Sequence, residues 1–261
     1  MKTSSTSQKS RYPANKVNKE TLEPTYFFPD LKIGVIIPAY NEELNIRKTL
    51  KLIPNNISDR MEVIVVDDGS VDNTSKVASC YNVKIIKHPL NKGYGAATKT
   101  GLNYCKNNNH EIAVILDADG QHDPRYISDF IRIILQDNID FVIGNRFKYY
   151  YNMGYKRRFC SKLMTVFYFF LLRKRISDPT NGYRALSCRL YNDIEFESDY
   201  SLSQEMLFKI IPNYNYKEIP IIVKQREHGK SFIKIKNYFN KIILLFLKFY
   251  IFPKIKRMTH K

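Results

Sequence analysis

The sequence predicts an α/β fold in which a mostly parallel central sheet carries helices on both faces, and three observations support it. Five short apolar, β-branched runs recur through the first half of the chain with helical stretches between them, the alternation from which such sheets are built. Four of these runs lead directly into polar or glycine-containing turns, and ligands of open α/β sheets bind at the carboxyl ends of the strands. The 261 residues, 44% of them apolar, suffice for one large α/β domain.

Taken in order, residues 1–30 are polar, basic and almost without aliphatics, with no apolar core of a secretory signal, and are expected to form a flexible tail. The first strand, "IGVII" (33–37), ends at Pro38 in "PAYNEE" (38–43). In that loop Tyr40 can stack on a planar ring and Glu42 can accept hydrogen bonds, as a base or ribose site requires. The second, "EVIVV" (62–66), runs into "DDGSVDNT" (67–74), where Asp67 or Asp68 can accept from a base N–H and Asp72 can cap the next helix. Taken alone, Asp-Asp-Gly-Ser after a strand is more often a simple turn. The third, "VKII" (83–86), precedes "NKGYGAATKTG" (91–101), whose glycines allow a backbone to approach a ligand but whose spacing is not that of a phosphate-wrapping P-loop. The fourth, "IAVIL" (112–116), opens into "DADGQHD" (117–123), and the fifth, "FVIG" (141–144), into "GNR" (144–146).

Beyond Arg146 the texture becomes aromatic and basic. "LMTVFYFFLL" (163–172) carries no charge and lies between Arg157, Arg158 and Lys162 on one side and Arg173, Lys174 and Arg175 on the other. It is too short to cross a bilayer, which takes about 20 apolar residues. Within residues 231–261, Lys234, Lys241 and Lys248 recur seven apart opposite a face of Ile, Leu, Phe and Tyr. Basic flanks around an apolar, aromatic face describe a helix lying in a membrane interface; packing on the domain's own core or on a second subunit is the alternative.

The net charge of +17 suits nucleic acid, an anionic membrane surface or a phosphorylated substrate, and composition does not choose among them. Cys80, Cys105, Cys160 and Cys188 are irregularly spaced, which fits neither a zinc site nor a disulfide framework and suggests a reducing, cytoplasmic compartment.

Asp117, Asp119 and Asp123 fall within seven positions immediately after a buried-type strand. Like charges so close repel unless a positive group sits among them. Oxygen ligands of this kind suit Mg²⁺ or Mn²⁺, commonly held by one or two carboxylates with other positions left to water and substrate phosphates.

The order "PAYNEE", "DDGS", "NKGYGAA", "DADGQHDP", each after a successive strand, resembles the GT-A fold of the family 2 glycosyltransferases over roughly residues 32–230. That resemblance implies a GT-A domain over 31–230. It makes Asp119 and Gln121 metal contacts, with Asp117 at the sugar-nucleotide and metal centre. Pro38, Ala39, Tyr40, Glu42, Asp67, Asp68, Lys92, Asp117 and Ala118 become contacts to a UDP- or GDP-linked sugar. In the second half, "GNR", "RRFCS" (157–161), "SDPTNGYR" (177–184) and "REHGKS" (226–231) resemble segments of dolichyl-phosphate mannose synthases and bacterial polyprenyl-phosphate sugar transferases. Arg146, Arg157, Ser161, Arg184, Arg226 and Lys230 would then surround a lipid phosphate. An acceptor phosphate is already anionic near neutral pH, so it needs cations to bind and orient it more than a base to deprotonate it. Asn181 and Tyr183 stand where the family pattern has Ser and Phe.

The resulting expectation is an inverting, metal-dependent hexosyltransferase acting on polyprenyl phosphate. Asp117, Asp119, Arg184 and Glu205 form its catalytic set. The chain ends without the paired membrane spans of many bacterial relatives, so the enzyme would be peripheral on the cytoplasmic face of the membrane, alone, as a homo-oligomer or with a membrane protein partner. Its nearest rival is a GT-A transferase that extends a surface glycan or lipid-linked saccharide at a hydroxyl, with Glu205 as general base. A nucleic-acid-binding module is disfavoured because acidic strand ends would obstruct it, and intact Asp117 and Asp119 argue against a scaffold that has lost catalysis.

Overall fold

The computed structural model describes residues 28, 30–54, 57–148, 155–199, 201–224 and 226, with backbone alone for 155–157 and 160. All five expected strands form: β1 (Ile33–Ala39), β2 (Met61–Asp67), β3 (Lys84–Lys87), β4 (Ile112–Ile115) and β5 (Phe141–Asn145). Two further strands, β6 (Arg184–Ser187) and β7 (Tyr216–Pro220), complete a seven-stranded sheet in the order β3-β2-β1-β4-β6-β5-β7. β1 pairs in parallel with β2 and β4, β2 with β3, and β5 with β7, while β6 runs antiparallel between β4 and β5. β6 begins at Arg184, the last residue of "SDPTNGYR", and β7 is a short edge strand ending at Pro220; neither carries a continuous apolar run.

β1 and β4 are buried along their whole length, because a strand inside a parallel sheet is covered on both faces. One face packs under α1 (Glu43–Leu52), α2 (Thr74–Ala78) and α4 (Ile127–Gln136). In α4, Ile127, Phe130, Ile131 and Ile134 are buried at the spacing of a single helical stripe. The other face packs under α3 (Tyr94–Asn107), α5 (Tyr155–Leu172), α6 (Cys188–Asp193) and α7 (Leu202–Ile210).

From β1 the chain steps outward through β2 to β3, then returns across the sheet to β4 on the other side of β1. Strand order reverses there, so the loops after β1 and β4 open a crevice between them. "PAYNEE" and "DADGQHD" are those two loops, and Thr49 Oγ1 of α1 donates across to the Ala118 carbonyl at 3.2 Å.

Phe28 and Asp30, within the stretch expected to be a tail, are among the described residues. Phe28 packs on the core and its amide donates to the Ile57 carbonyl at 2.7 Å, because an aromatic side chain at the end of a polar stretch gains from burial. The rest of the expected tail, residues 1–27 and 29, the expected interfacial helix at 231–261, and Lys230 lie outside the described residues. Cys80, Cys105 and Cys188 are free thiols. No helix among the described residues is long and apolar enough to cross a membrane.

Candidate active site

The carboxyl end of β4 delivers Asp117 and Asp119 into the crevice. Asp117 Oδ1 is buried and accepts no hydrogen bond, and burial pushes its carboxyl above the ordinary value of 3.8 against the pull of Tyr94, Arg146, Arg184 and Arg226. Asp119 is raised by burial and then by the Asp117 charge beside it. Its Oδ1 accepts the Gln121 amide at 3.0 Å. A buried carboxylate oxygen with nothing to accept, next to a second carboxylate, is an environment that favours a cation. Among the described residues no group of three or more His, Cys, Asp and Glu side chains that could hold a metal ion is found.

Asp123, the third acid of the cluster, turns away. Burial raises its carboxyl, but hydrogen bonds from the Arg125 side chain and amide bring it below the ordinary range, and it starts a short 3-10 turn by accepting from the Arg125 amide at 3.1 Å. His122, stacked on Tyr183 at 5.1 Å, is drawn down to about 4 by burial and is neutral at pH 7.

Tyr94, the first residue of α3, places its hydroxyl beside Asp117, and burial followed by the Asp117 charge lifts that hydroxyl far above its ordinary range. It therefore stays protonated and donates. Gly182 completes this corner: a Cβ there would sit 2.9 Å from Asp117 Oδ2 and 3.2 Å from Tyr94 Oη. Tyr94 escaped the sequence reading, although the glycine before it, which allows the helix to start so close to β4, was visible.

On the β2 side, Pro38 and Ala39 are buried at the end of β1 and Tyr40 is half-buried beyond them. Asp67 accepts from the Ser70 amide at 2.9 Å and from the Ser75 hydroxyl. Asp68 accepts from the Lys92 and Gly93 amides at 3.0 and 2.7 Å, so Lys92 is tied down by its backbone while its side chain is exposed. Glu42 is buried, accepts from Asn45 Nδ2 at 2.7 Å and pairs with Arg226. Burial nevertheless raises its carboxyl.

Arg226 thus stands beside the loop after β1, away from the other arginines expected around the acceptor. Its guanidinium pairs with Glu42 and lies 3.8 Å from Asp119 Oδ2, because two partly buried carboxylates there attract a nearby cation. Gln121 Nε2 donates to the Lys224 carbonyl at 3.1 Å, which fastens the segment just before Arg226 to the loop after β4.

On the β5 side, Arg146 and Asp178 form a buried bidentate pair with both contacts at 2.7 Å. Arg146 also donates to Thr180 Oγ1 at 2.8 Å, and Ser161 Oγ of α5 lies 3.4 Å from that hydroxyl. Two of the expected acceptor residues therefore converge through Asp178 and through Thr180 of the same motif, the threonine being the one that sequence reasoning did not assign. Glu218 of β7 secures the loop by accepting the Ser177 and Asp178 amides at 2.9 Å. The Arg157 side chain lies outside the described residues.

Two expected catalytic residues are placed otherwise. Arg184, 1% exposed, donates to the carbonyls of Asn181, Ser203 and Pro179 at 2.9, 2.5 and 3.2 Å. It holds the "SDPTNGYR" loop to α7, and its charge reaches Asp117 only through space. Glu205 is fully buried, accepts the Glu197 and Ser198 amides at 2.9 and 2.7 Å and pairs with Lys209 at 2.8 Å. A carboxylate so engaged orders the segment before α7 and is not presented as a base.

The sequence profile described as "Glycosyl transferase family 2" matches residues 34–195, a span that runs from β1 through α6. The chain is 36% identical over 178 residues to a UDP-N-acetylglucosamine--dolichyl-phosphate N-acetylglucosaminyltransferase of Methanococcus voltae, covering 60% of this chain and 70% of that one. It is 29% identical over 226 residues to a polyprenol monophosphomannose synthase of Mycolicibacterium smegmatis, covering 80% and 83%. The fold is similar to that of glucosyl-3-phosphoglycerate synthase from Mycobacterium tuberculosis, solved with Mn²⁺, UDP and glucosyl-3-phosphoglycerate, with a TM-score of 0.67 at 19% identity over 84% of this chain and 80% of that one. With the expected motifs following β1, β2 and β4 in a sheet of the GT-A type, the chain belongs to glycosyl transferase family 2 and is a glycosyltransferase.

Proposed function

We propose that this enzyme transfers a hexose-type sugar from a nucleoside diphosphate to a polyprenyl phosphate, with inversion at the anomeric carbon. The observation that carries the reading is the division of the crevice. Asp117 and Asp119 stand at its centre, the carboxylate-rich loops after β1 and β2 line one side, and the Arg146–Asp178–Thr180–Ser161 cluster lies on the other. The names of the two sequence relatives support a lipid-linked phosphate as acceptor. The position of Glu205 removes the main support for a hydroxyl acceptor.

Asp117 and Asp119, with Gln121 beside them, would hold Mg²⁺ or Mn²⁺, which when bound neutralises the departing diphosphate. Tyr94 keeps Asp117 oriented by donating to it. Arg146, held rigid by Asp178, supplies positive potential where the acceptor phosphate enters. One of that phosphate's oxygens attacks the anomeric carbon as the bond to the nucleoside diphosphate breaks, giving a sugar phosphodiester of the lipid and free nucleoside diphosphate. No general base is required, since the nucleophile carries no proton to lose.

The test is transfer of labelled sugar from a panel of UDP- and GDP-sugars to undecaprenyl phosphate in detergent, with Mn²⁺, Mg²⁺ or EDTA. Label in the lipid phase that disappears with EDTA supports the reading and identifies the donor. Donor hydrolysis without lipid labelling sinks the polyprenyl-phosphate assignment.

The acceptor's location asks for an anionic membrane surface, at the cytoplasmic face where nucleotide sugars are found. α5 is suited to meet it: Phe159, Leu163, Val166 and Phe170 follow one helical stripe and are all exposed, Phe170 by 65%, with exposed Arg158, Lys162, Arg173, Lys174 and Arg175 around them. Ser161 lies on the buried face of the same helix. Replacing Phe159 and Phe170 together by Asp is expected to weaken cosedimentation with phosphatidylglycerol vesicles at least about tenfold, with nucleotide binding unchanged. Undiminished vesicle binding would place the membrane contact elsewhere.

A further inference from the structure

We propose that His88 is a positioning residue for donor binding: it holds the Asp68 carboxylate, which locks the loop entering α3 against the loop leaving β2. The His88 side chain is 8% exposed, with Nδ1 2.6 Å from Asp68 Oδ1 and Nε2 2.9 Å from Thr100 Oγ1. A carboxylate only accepts, so Nδ1 carries a proton and donates to Asp68, while Nε2 shares a hydrogen bond with the Thr100 hydroxyl. His88 thereby links the end of β2 to the second turn of α3.

Asp68 is the hub of this arrangement. It gathers the His88 ring and the Lys92 and Gly93 amides, three donors from one short loop, and its own amide donates to the Ala39 carbonyl at 2.8 Å. The His88 amide donates to the Asp67 carbonyl at 2.9 Å. The two loops also touch directly: Gly69 has φ 73°, and a Cβ on it would lie 2.4 Å from the Leu90 carbonyl carbon and 2.6 Å from the Asn91 nitrogen. Gly93, with φ 98°, turns the chain into α3, and the next residue is Tyr94 at Asp117. A shift of Asp68 therefore moves the loop after β2 and the start of α3 together.

This inference rests on the donor occupying the β1–β2–β4 side of the crevice. The acceptor cluster is built on β5, with β1, β4 and β6 standing between it and β2. The effect of losing His88 is accordingly specific: donor binding weakens and acceptor binding does not.

The experiment measures donor and acceptor KM and kcat for full-length wild type, His88→Phe, His88→Asn and Thr100→Val, with melting temperatures alongside. His88→Phe fills the space but cannot donate, and is expected to raise donor KM about tenfold, the scale of one charge-assisted hydrogen bond, with kcat and acceptor KM within about twofold. In His88→Asn the side-chain amide nitrogen stands where Nδ1 was, so that variant should recover most of the donor affinity, a rescue that bulk stability alone would not give. Should His88→Phe fail to fold, Thr100→Val carries the test through a smaller rise in donor KM alone. Donor KM within about twofold of wild type in His88→Phe, equal losses in kcat and acceptor KM, or no rescue by His88→Asn overturns the proposal. Wild type that binds no nucleotide sugar would instead overturn the functional reading on which it stands, and the proposal with it.

Discussion

Asp117→Asn is expected to abolish transfer and, in the same protein, to raise the melting temperature measured without divalent ions. Both effects follow from one feature: Asp117 Oδ1 is buried and accepts no hydrogen bond, with Asp119 close by. Burial raises the Asp117 carboxyl, and burial together with Asp117 raises that of Asp119. An acid whose pKa is higher in the folded state binds more protons there than in the unfolded chain. Stability is therefore lost as pH rises from the ordinary value of 3.8 through the raised one. At neutral pH the two charges oppose folding until a cation joins them. Asn removes one charge and keeps an oxygen for Tyr94, and each kcal/mol relieved lifts the transition by about 2–4 °C in a domain of this size. Catalysis loses a ligand of the ion that stabilises the leaving group, a loss on the order of 10²- to 10³-fold in kcat. Mn²⁺ at about 100 times its Kd should stabilise wild type by about 2.7 kcal/mol and Asp117→Asn far less. A variant that melts no higher than wild type and still responds fully to Mn²⁺ would remove Asp117 from the metal centre.

The placement of these two carboxylates at a strand end was readable because its signal is local. The apolar run into "DADG" fixes both the strand and the place where its carboxylates emerge, and the runs ending in "PAYNEE" and "DDGS" do the same for the loops after β1 and β2. What the sequence left open depends on pairing across the sheet. Arg184 is one of several arginines in the second half of the chain, and nothing adjacent to it shows that three carbonyls from two segments enclose it. Glu205 reads as an available acid until the Glu197 and Ser198 amides and Lys209 are seen to fill it. Arg226 changed sides because the carboxylates it meets lie more than a hundred residues earlier. Asp123 shows the reverse: it belongs to the acidic cluster by spacing, yet the Arg125 two residues on withdraws it. β6 was missed because its four residues start at a buried arginine, so that no apolar run announces a strand.

The second large effect concerns the other side of the crevice. Asp178→Ala should lower stability by about 3–5 kcal/mol, because it leaves the Arg146 guanidinium buried without its carboxylate, and the melting temperature should fall by about 10 °C. Lost activity in that variant would not by itself distinguish a folding role from a role at the acceptor. The double substitution Arg146→Met with Asp178→Leu separates them. Replacing both members of a buried pair by apolar groups of similar size costs little and is often stabilising, so the double variant should melt near wild type and still bind nucleotide sugar. It would nevertheless lack the positive charge beside Thr180 and Ser161, and transfer to polyprenyl phosphate should remain at least about a hundredfold below wild type, the scale of losing one preorganised charged donor. A double variant that regains both stability and transfer would make the pair scaffolding alone and move the acceptor phosphate to other cations. Stability without transfer would instead mean that the pair is kept, despite the cost of burying two charges, because the arginine has to be held rigid where a second phosphate arrives.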